Sequence, residues 1–365
     1  MPHEHARGTG REELPRLSVL LSRRHVLATV AVVLVAVAVV YIVVPQLPGV
    51  KHTWDQLGDG NAWWIGVALA LELASMASYI ALFHGVHVPP GSAITHRDSY
   101  KITMAGLAAT RLFAAGGAAG VALTAWSLRR SGMPRREVAT RMIAFLVILY
   151  GVYVAAMIVC GVGLYIGLFS GPHPFAITIV PAIFGAVAMS LFTGVAFLPP
   201  RLEQRLRASA ERRLLRLVAA GPASLIAGVR YAKQKLRHPD WALAGAISWW
   251  ALNVAILYAS FRAFGDAPSV AVVAQTYFVG MLANLLPVPG GIGVVDGGMI
   301  GAAVALGVGF HLALIAVLTY RLFAFWLPTI PGVIAYFQLR RTVQRWEQRD
   351  AGSALAAPGA SSALA

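Results

Sequence analysis

The sequence predicts an all-α protein: a polytopic transmembrane helix bundle, built as an inverted repeat with two re-entrant hairpins. Three observations carry that prediction. The chain is 58% hydrophobic and only 12% charged, where soluble domains carry about 25% charged residues. Its apolar runs fall near 25–44, 62–86, 103–127, 139–168, 174–198, 241–264, 268–286, 291–309 and 311–338, and most reach the roughly 20 residues that a helix needs to cross a bilayer. Its 30 Lys and Arg residues gather between those runs, as they do in the cytoplasmic loops of membrane proteins. The alternating ten-residue strands of an outer-membrane barrel are absent. A net charge of +15 therefore reads as orientation in a membrane, and no nucleic acid partner is expected.

Taken in order, the head (1–24) carries Arg7, Arg11, Arg16, Arg23 and Arg24, which places it in the cytoplasm. Arg23-Arg24 before an apolar run has the look of a twin-arginine signal. The run 25–44 is longer than the apolar core of a signal peptide and no small-residue cleavage site follows it, so it is expected to be a retained first span. The run 62–86 returns the chain to the cytoplasm.

The run 103–127 then breaks the pattern. A crossing there would export Arg129, Arg130, Arg135, Arg136 and Arg141. The conflict disappears if this run enters and leaves on one side, turning at Gly116-Gly117 inside "TRLFAAGGAAG". A half-helix of about twelve residues reaches ~18 Å, past the middle of a ~30 Å hydrocarbon core. Such irregular backbone is tolerated where protein buries it or where it lines a watery cavity.

The run 139–168 goes out and 174–198 comes back. The segment 199–240 is the most basic of the chain, with Arg201, Arg205, Arg207, Arg212, Arg213, Arg216, Arg230, Lys233, Lys235 and Arg237, so it is expected to be cytoplasmic. Leu202, Leu206, Leu214 and Leu217 among those arginines suit an amphipathic helix on an anionic leaflet, and 201–237 is the expected contact with anionic phospholipid. A solvated linker is the alternative. The run 241–264 goes out again, and Arg340, Arg341, Arg345 and Arg349 bring the C-terminal end inside. Between them lie either three crossings, or a second hairpin over 268–309 and one crossing at 311–338. The segment 339–365 is expected to be a disordered cytoplasmic tail. The whole reads as a multi-pass protein of the plasma membrane, both termini in the cytoplasm, with its oligomeric state open.

"NLLPVPGGIGVVDGG" (284–298) supplies the tip of the second hairpin, and its Gly290-Gly291 aligns with Gly116-Gly117. The repeat units are 62–168 and 241–338, inside a membrane domain of 25–338. An odd number of crossings separates the two glycine pairs, so the second unit is upside down. Inverted repeats with glycine-interrupted segments at matching positions point to a substrate site near the bilayer midplane.

The polar groups at depth are Glu72, Arg111, Asp296 and Arg321. Charges there are costly and normally face the interior in pairs. Asp296 with Arg321 is the first expected pair, since both lie in the second unit. Structural ion pairing alone is the bland alternative. With Gly116, Gly117, Asn284, Pro287, Pro289, Gly290, Gly291 and Gly293 at the hairpin tips, these four make the expected substrate-binding set. No HExxH, G-x-S-x-G or P-loop occurs, and Cys160 is the only cysteine. No catalytic residue, metal or cofactor is expected.

"NLLPVPGGIGVVDGG" followed by "YRLFAFWLPTIPG" resembles the lysylphosphatidylglycerol synthase transmembrane-domain family of flippase-like membrane proteins, over roughly 28–338. Pro287, Pro289, Gly290, Gly291, Gly293 and Arg321 match that family's pattern. Asp296 stands where Glu is more usual, and Ala114-Ala115 where members often have a proline-containing turn. The resemblance implies a protein that translocates or binds a phospholipid or lipid-linked head group, with membrane lipids as its partners. In two-domain members a separate soluble domain makes the aminoacylated lipid; the expectation here is that this domain is absent and the chain is not an enzyme. The alternative function is a non-transporting membrane scaffold or regulator, docking partners or anionic lipid through 199–240.

Overall fold

The computed structural model describes residues 60–89, 91–92, 94–112, 118–197, 224–235, 241–286 and 288–356. Among them every regular element is helical. The first unit comprises α1 (Ala62–His87), α2 (His96–Leu112), α3 (Ala118–Arg130) and α4 (Arg135–Tyr165). Next come α5 (Phe175–Phe197) and a short helix, α6 (224–235). The second unit comprises α7 (Trp241–Phe264), α8 (Val270–Met281), α9 (Val294–Ala305) and α10 (Phe310–Arg321), the last running through a π-helical turn (Leu322–Trp326) into α11 (Leu327–Ala356). The expected first span at 25–44 and the amphipathic run 201–217 lie outside the described residues.

Both units have the same order: a long helix, two short ones, a long one. The long helices α1, α4, α5, α7 and the continuous Phe310–Gln348 stretch are long and apolar enough to cross a membrane. The short ones are not. α9 has 12 residues, about 18 Å of helix against a core of about 30 Å. α8 has 12 residues and a four-residue 3-10 turn, Leu282–Leu285. Neither arm of 268–309 is thus as long as the membrane-spanning helices, and the two arms pack on each other, as a re-entrant hairpin would. α2 and α3, of 17 and 13 residues, form the first hairpin, which starts at His96 and not near 103 as the hydropathy run does.

α1 and α7 pack closely as an antiparallel pair. Asn61 N–H donates to the Ala263 carbonyl at 2.8 Å, Ser75 meets Asn253 at 3.0 Å, and Gly85 lies against Ala242. Small residues permit the close approach: a Cβ on Gly245 would come within 2.7 Å of the Leu82 amide and the Ser78 carbonyl. These two helices open the two repeat units, so their opposed directions make the repeat an inverted one.

Each hairpin packs against the other unit's closing helix. α2 lies along α11, with Lys101 Nζ donating to Thr342 Oγ1 at 3.1 Å. α8 lies along α4, with Tyr153 OH donating to the Phe278 carbonyl at 2.5 Å. The two bases sit at opposite ends of the bundle. Arg130 pairs with Glu347 at the base of the first hairpin, whereas Ser269 Oγ donates to the Ser170 carbonyl at 2.5 Å at the base of the second. α2 begins with a capping box: Thr95 Oγ1 accepts from Asp98 N–H at 3.2 Å, and Asp98 Oδ2 accepts back from Thr95 N–H at 3.3 Å.

The outer surface carries Leu69, Leu73, Tyr150, Val159, Phe184, Val187, Leu191, Ile247, Leu322, Ile330 and Ile334, all exposed. A belt of that kind suits hydrocarbon as its solvent. One expectation is corrected. The segment from 339 was assigned to a disordered tail, but α11 is helical through Ala356. Leu339 and Val343 are buried, and Lys101 and Arg130 hold this stretch against the first hairpin.

Candidate functional site

The tip of the second hairpin is shaped by three glycines of positive φ, Gly290 (φ 58°), Gly291 (φ 64°) and Gly293 (φ 82°). Only glycine enters that region without steric cost. Gly290 also lacks room: a Cβ there would lie 2.7 Å from the Phe325 ring and 2.9 Å from the Arg111 carbonyl. Gly293 is the N-cap of α9, and its N–H donates to Asp296 Oδ2 at 2.7 Å. A carboxylate at this third helical position satisfies an orphan donor and faces the positive end of the helix dipole.

The same carboxylate meets Arg321, with Nε 2.6 Å from Asp296 Oδ1, as the polarity of the two residues predicts. Arg321 Nη2 donates to the Gly290 carbonyl at 3.1 Å. One guanidinium thus holds both the turn and the first helical residues after it.

Arg111 closes α2 and comes from the other hairpin. It is 8% exposed. Its Nη1 donates to the Phe325 carbonyl at 2.7 Å and its Nη2 to the Ala324 carbonyl at 2.8 Å. The Ala324 carbonyl is free for a local reason, while the Phe325 carbonyl is shared with the Thr329 hydroxyl. Ala324 O would ordinarily accept from the residue four positions on, which is Pro328, and proline has no N–H. The π-helical turn re-phases the helix at the same place, with Leu327 N–H reaching back to the Leu322 carbonyl. π-turns of this sort recur at functional sites.

The two arginines share Phe325. The Arg321 Cζ is 4.4 Å from its ring centroid and the Arg111 Cζ is 5.2 Å, both within cation–π range. The first hairpin brings Arg111 to this ring and the second brings Gly290 against it, while Arg321 reaches it from α10, so the hairpins, rooted at opposite ends, meet on one aromatic ring. Asp296 balances Arg321. Arg111 is met by carbonyl dipoles, which leave its charge in place.

A polar seam continues from this junction between α1, α7 and α10. Tyr320 OH donates to Asn253 Oδ1 at 3.0 Å, and Asn253 Nδ2 donates to Ser75 Oγ at 3.0 Å. One turn from Ser75 on α1 lies Glu72, 1% exposed, and neither carboxyl oxygen has a hydrogen-bond partner among the described residues. Arg111 is within electrostatic reach of Glu72 but forms no ion pair with it.

The structure brings Arg111, Gly290, Gly293, Asp296 and Arg321 together, with Glu72 beside them. Gly291 is buried, and a Cβ on it would strike Val295 and the Asn284 carboxamide. Asn284 itself is exposed, its Nδ2 3.4 Å from Met281 Sδ. The backbone of Pro289 starts the tip turn, Pro289–Gly291. Gly116, Gly117 and Pro287 lie outside the described residues. Sequence reasoning missed Phe325, Pro328, Tyr320 and the Thr329 hydroxyl, which donates to the Phe325 carbonyl at 2.6 Å. Pro328 was the available signal, since a proline inside an apolar helix marks an orphaned carbonyl four residues earlier.

Comparison with known proteins gives a family model described as the lysylphosphatidylglycerol synthase TM region, which matches residues 20–332. Two curated relatives are described as UPF0104 membrane proteins of Methanothermobacter thermautotrophicus. One is 34% identical over 91 residues, 25% of this chain and 26% of the relative. The other is 36% identical over 87 residues, 24% of this chain and 26% of the relative. The chain thus spans about a quarter of the length of the curated relatives it matches.

Proposed function

The chain belongs to the lysylphosphatidylglycerol synthase transmembrane-region family, and from that premise we propose a flippase-like carrier, not an enzyme, that moves a phosphate-bearing lipid head group across the membrane at the hairpin junction. The observation that carries this reading is the meeting of Arg111 and Arg321 on Phe325. Guanidinium groups bind phosphate oxygens in pairs. Arg111 is the better candidate of the two, because its partners are neutral carbonyls that an anionic oxygen can replace, whereas Arg321 already holds a carboxylate.

The geometry also supplies an alternating path. Two hairpins with bases at opposite ends share one contact point, so opening either one exposes the junction to one side only. Rocking of one repeat against the other around a fixed site is the common form of alternating access. The orientation follows from charge: Arg129, Arg130, Arg135, Arg136, Arg340 and Arg341 lie toward the end where the first hairpin is rooted, so that face is cytoplasmic by the positive-inside rule. The location is the plasma membrane.

The test is reconstitution of the full chain into phosphatidylcholine vesicles with fluorescent head-group-labelled phosphatidylglycerol, read by quenching from outside. The expected result is exposure of the inner-leaflet pool by wild type, and loss of at least about tenfold in rate for Arg111→Gln, as when a phosphate contact worth more than about 1.4 kcal/mol is removed. Equal rates for wild type, Arg111→Gln and empty vesicles, repeated with labelled phosphatidylethanolamine and a polyprenyl phosphate, would sink the proposal.

A further inference from the structure

Glu72 is an acidic group beside the junction that the head-group reading leaves unused. It is 1% exposed, at mid-length on α1, and both carboxyl oxygens lack a hydrogen-bond partner among the described residues. Buried polar groups are nearly always satisfied, so an exception calls for a function. An ionised carboxylate in that position would be an unpaired charge in a low-dielectric interior, and such a group takes up a proton instead.

Several described groups lie within electrostatic reach of it or of its neighbours. α2 presents Arg111, α8 presents Tyr277, and α10 presents Tyr320 with Arg321 beyond it. α7 presents the uncharged Asn253 through Ser75. α4 presents Tyr150 toward Tyr79 of α1 and Tyr153 toward Tyr277. Among the described residues Arg111 is a cation within electrostatic reach of Glu72, and in this conformation its guanidinium is turned to the Ala324 and Phe325 carbonyls.

We propose that Glu72 is a proton-binding site in competition with the head-group phosphate for Arg111, so that a proton travels with each anionic head group. This rests on the head-group reading above. With Arg111 held by the carbonyls or by phosphate, Glu72 is a neutral carboxylic acid. When the phosphate leaves and Arg111 swings to α1, Glu72 releases its proton to water at whichever face is open and pairs with Arg111 as a carboxylate. Arg111 stays charged throughout. The loaded site carries one negative phosphate and one proton, and the conformation with Arg111 on α1 closes its own ion pair, so each end state of the exchange compensates the Arg111 charge; the carbonyl-held conformation lies between them.

Two measurements on the full chain in lipid separate this from the reading it rests on. Infrared difference spectroscopy in phosphatidylcholine nanodiscs, over a pH titration, needs no transport. Wild type is expected to show a protonated-carboxyl C=O band at neutral pH that declines as pH rises. Glu72→Gln should lack that band and keep the wild-type melting temperature, and Glu72→Asp should shift the band. A band absent at every pH, or one that survives in Glu72→Gln, overturns the proton site. So does a wild-type band lost when sodium replaces choline at constant pH, which would mark a metal-cation site instead. A Glu72→Gln protein that unfolds, with no shift of the band in Glu72→Asp, overturns it as well, since that is the behaviour of a structural ion pair. The second measurement is translocation of labelled phosphatidylglycerol against pH. The wild-type rate should fall with a limiting slope of about tenfold per pH unit above the carboxyl's titration, as one proton requires, and the Glu72→Gln rate should be flat. A variant as pH-dependent as wild type overturns the coupling. If no lipid is translocated at all, the head-group reading fails, and the infrared result still decides the proton site.

Discussion

Gly290 and Gly293 make a matched pair of probes at the scale of single residues. Both have positive φ; Gly290 lies near the left-handed helical region, where a side chain costs roughly 1–2 kcal/mol, and Gly293, with ψ −43°, lies in a sparser region that costs about 1–3 kcal/mol. Gly293 has open space where a Cβ would go, whereas a Cβ on Gly290 would meet Phe325 and the Arg111 carbonyl. Gly293→Ala should therefore lower stability by about 1–3 kcal/mol through backbone strain alone, whereas Gly290→Ala adds a clash to its strain and should also disrupt the Arg111 contact. Unfolding in mild detergent, comparing the two variants, checks this. Asp98 offers a pH probe outside the spans. Its burial opposes the charge, but the Thr95 hydroxyl and amide and the Lys101 ammonium outweigh that and hold the carboxyl below its usual range. A depressed carboxyl stabilises the fold fully above its unfolded value of about 3.9, and that contribution fades as pH falls through the folded value. Asp98→Asn should lose about 1 kcal/mol at neutral pH and show a shallower decline in acid, read as melting temperature against pH. At this scale the sequence revealed pairs of side chains and little else. Asp296 and Arg321 were legible because opposite charges at depth seek each other. The partners of Arg111 are backbone carbonyls, which carry no residue-type signal. The isolation of Glu72 was not legible at all, because it depends on where α2 and α10 point their side chains.

At the scale of elements, the hairpins were legible from an inconsistency rather than from periodicity. No hydropathy rule separates a span from a hairpin at 103–127, but five arginines on the wrong side do. The glycines and prolines of 284–298 then had a reason to be there. The limit is equally physical: the hydropathy run began at 103, and α2 starts at His96, because the polar first turn of a hairpin arm lies outside the core and contributes no apolar signal. The same holds for α11, whose charged last turns continue to Ala356 although the apolar run stops near 338. Pro328 is the element-scale determinant of the site. Replacing it with Ala restores an N–H that can compete for the Ala324 carbonyl now used by Arg111. Pro328→Ala is expected to raise the melting temperature slightly, since an interior proline costs a helix about 3 kcal/mol, and to cut head-group translocation several-fold. A variant equal to wild type in both would remove the proline from the account.

At the scale of the whole molecule, the two units exchange partners. α1 and α7 run antiparallel against each other, the first hairpin rests on α11, and the second on α4. That reciprocity makes one unit upside down relative to the other and brings two hairpins to one ring from opposite ends. Most of this was predictable from counting crossings and charges, because membrane insertion acts on those quantities directly. The shared ring was not, since Phe325 is one apolar residue among many until the packing selects it. The claim on which everything else depends is that the hairpin bases face opposite sides of the membrane. Ser131 stands at the base of the first and Gly309 at the base of the second, and Cys160 is the single native cysteine. In a Cys160→Ala background, Ser131→Cys and Gly309→Cys in intact cells are to be reacted with a membrane-impermeant maleimide. The account predicts labelling of Gly309→Cys from outside, and of Ser131→Cys only after the membrane is permeabilised. Labelling of both from the same side would contradict it.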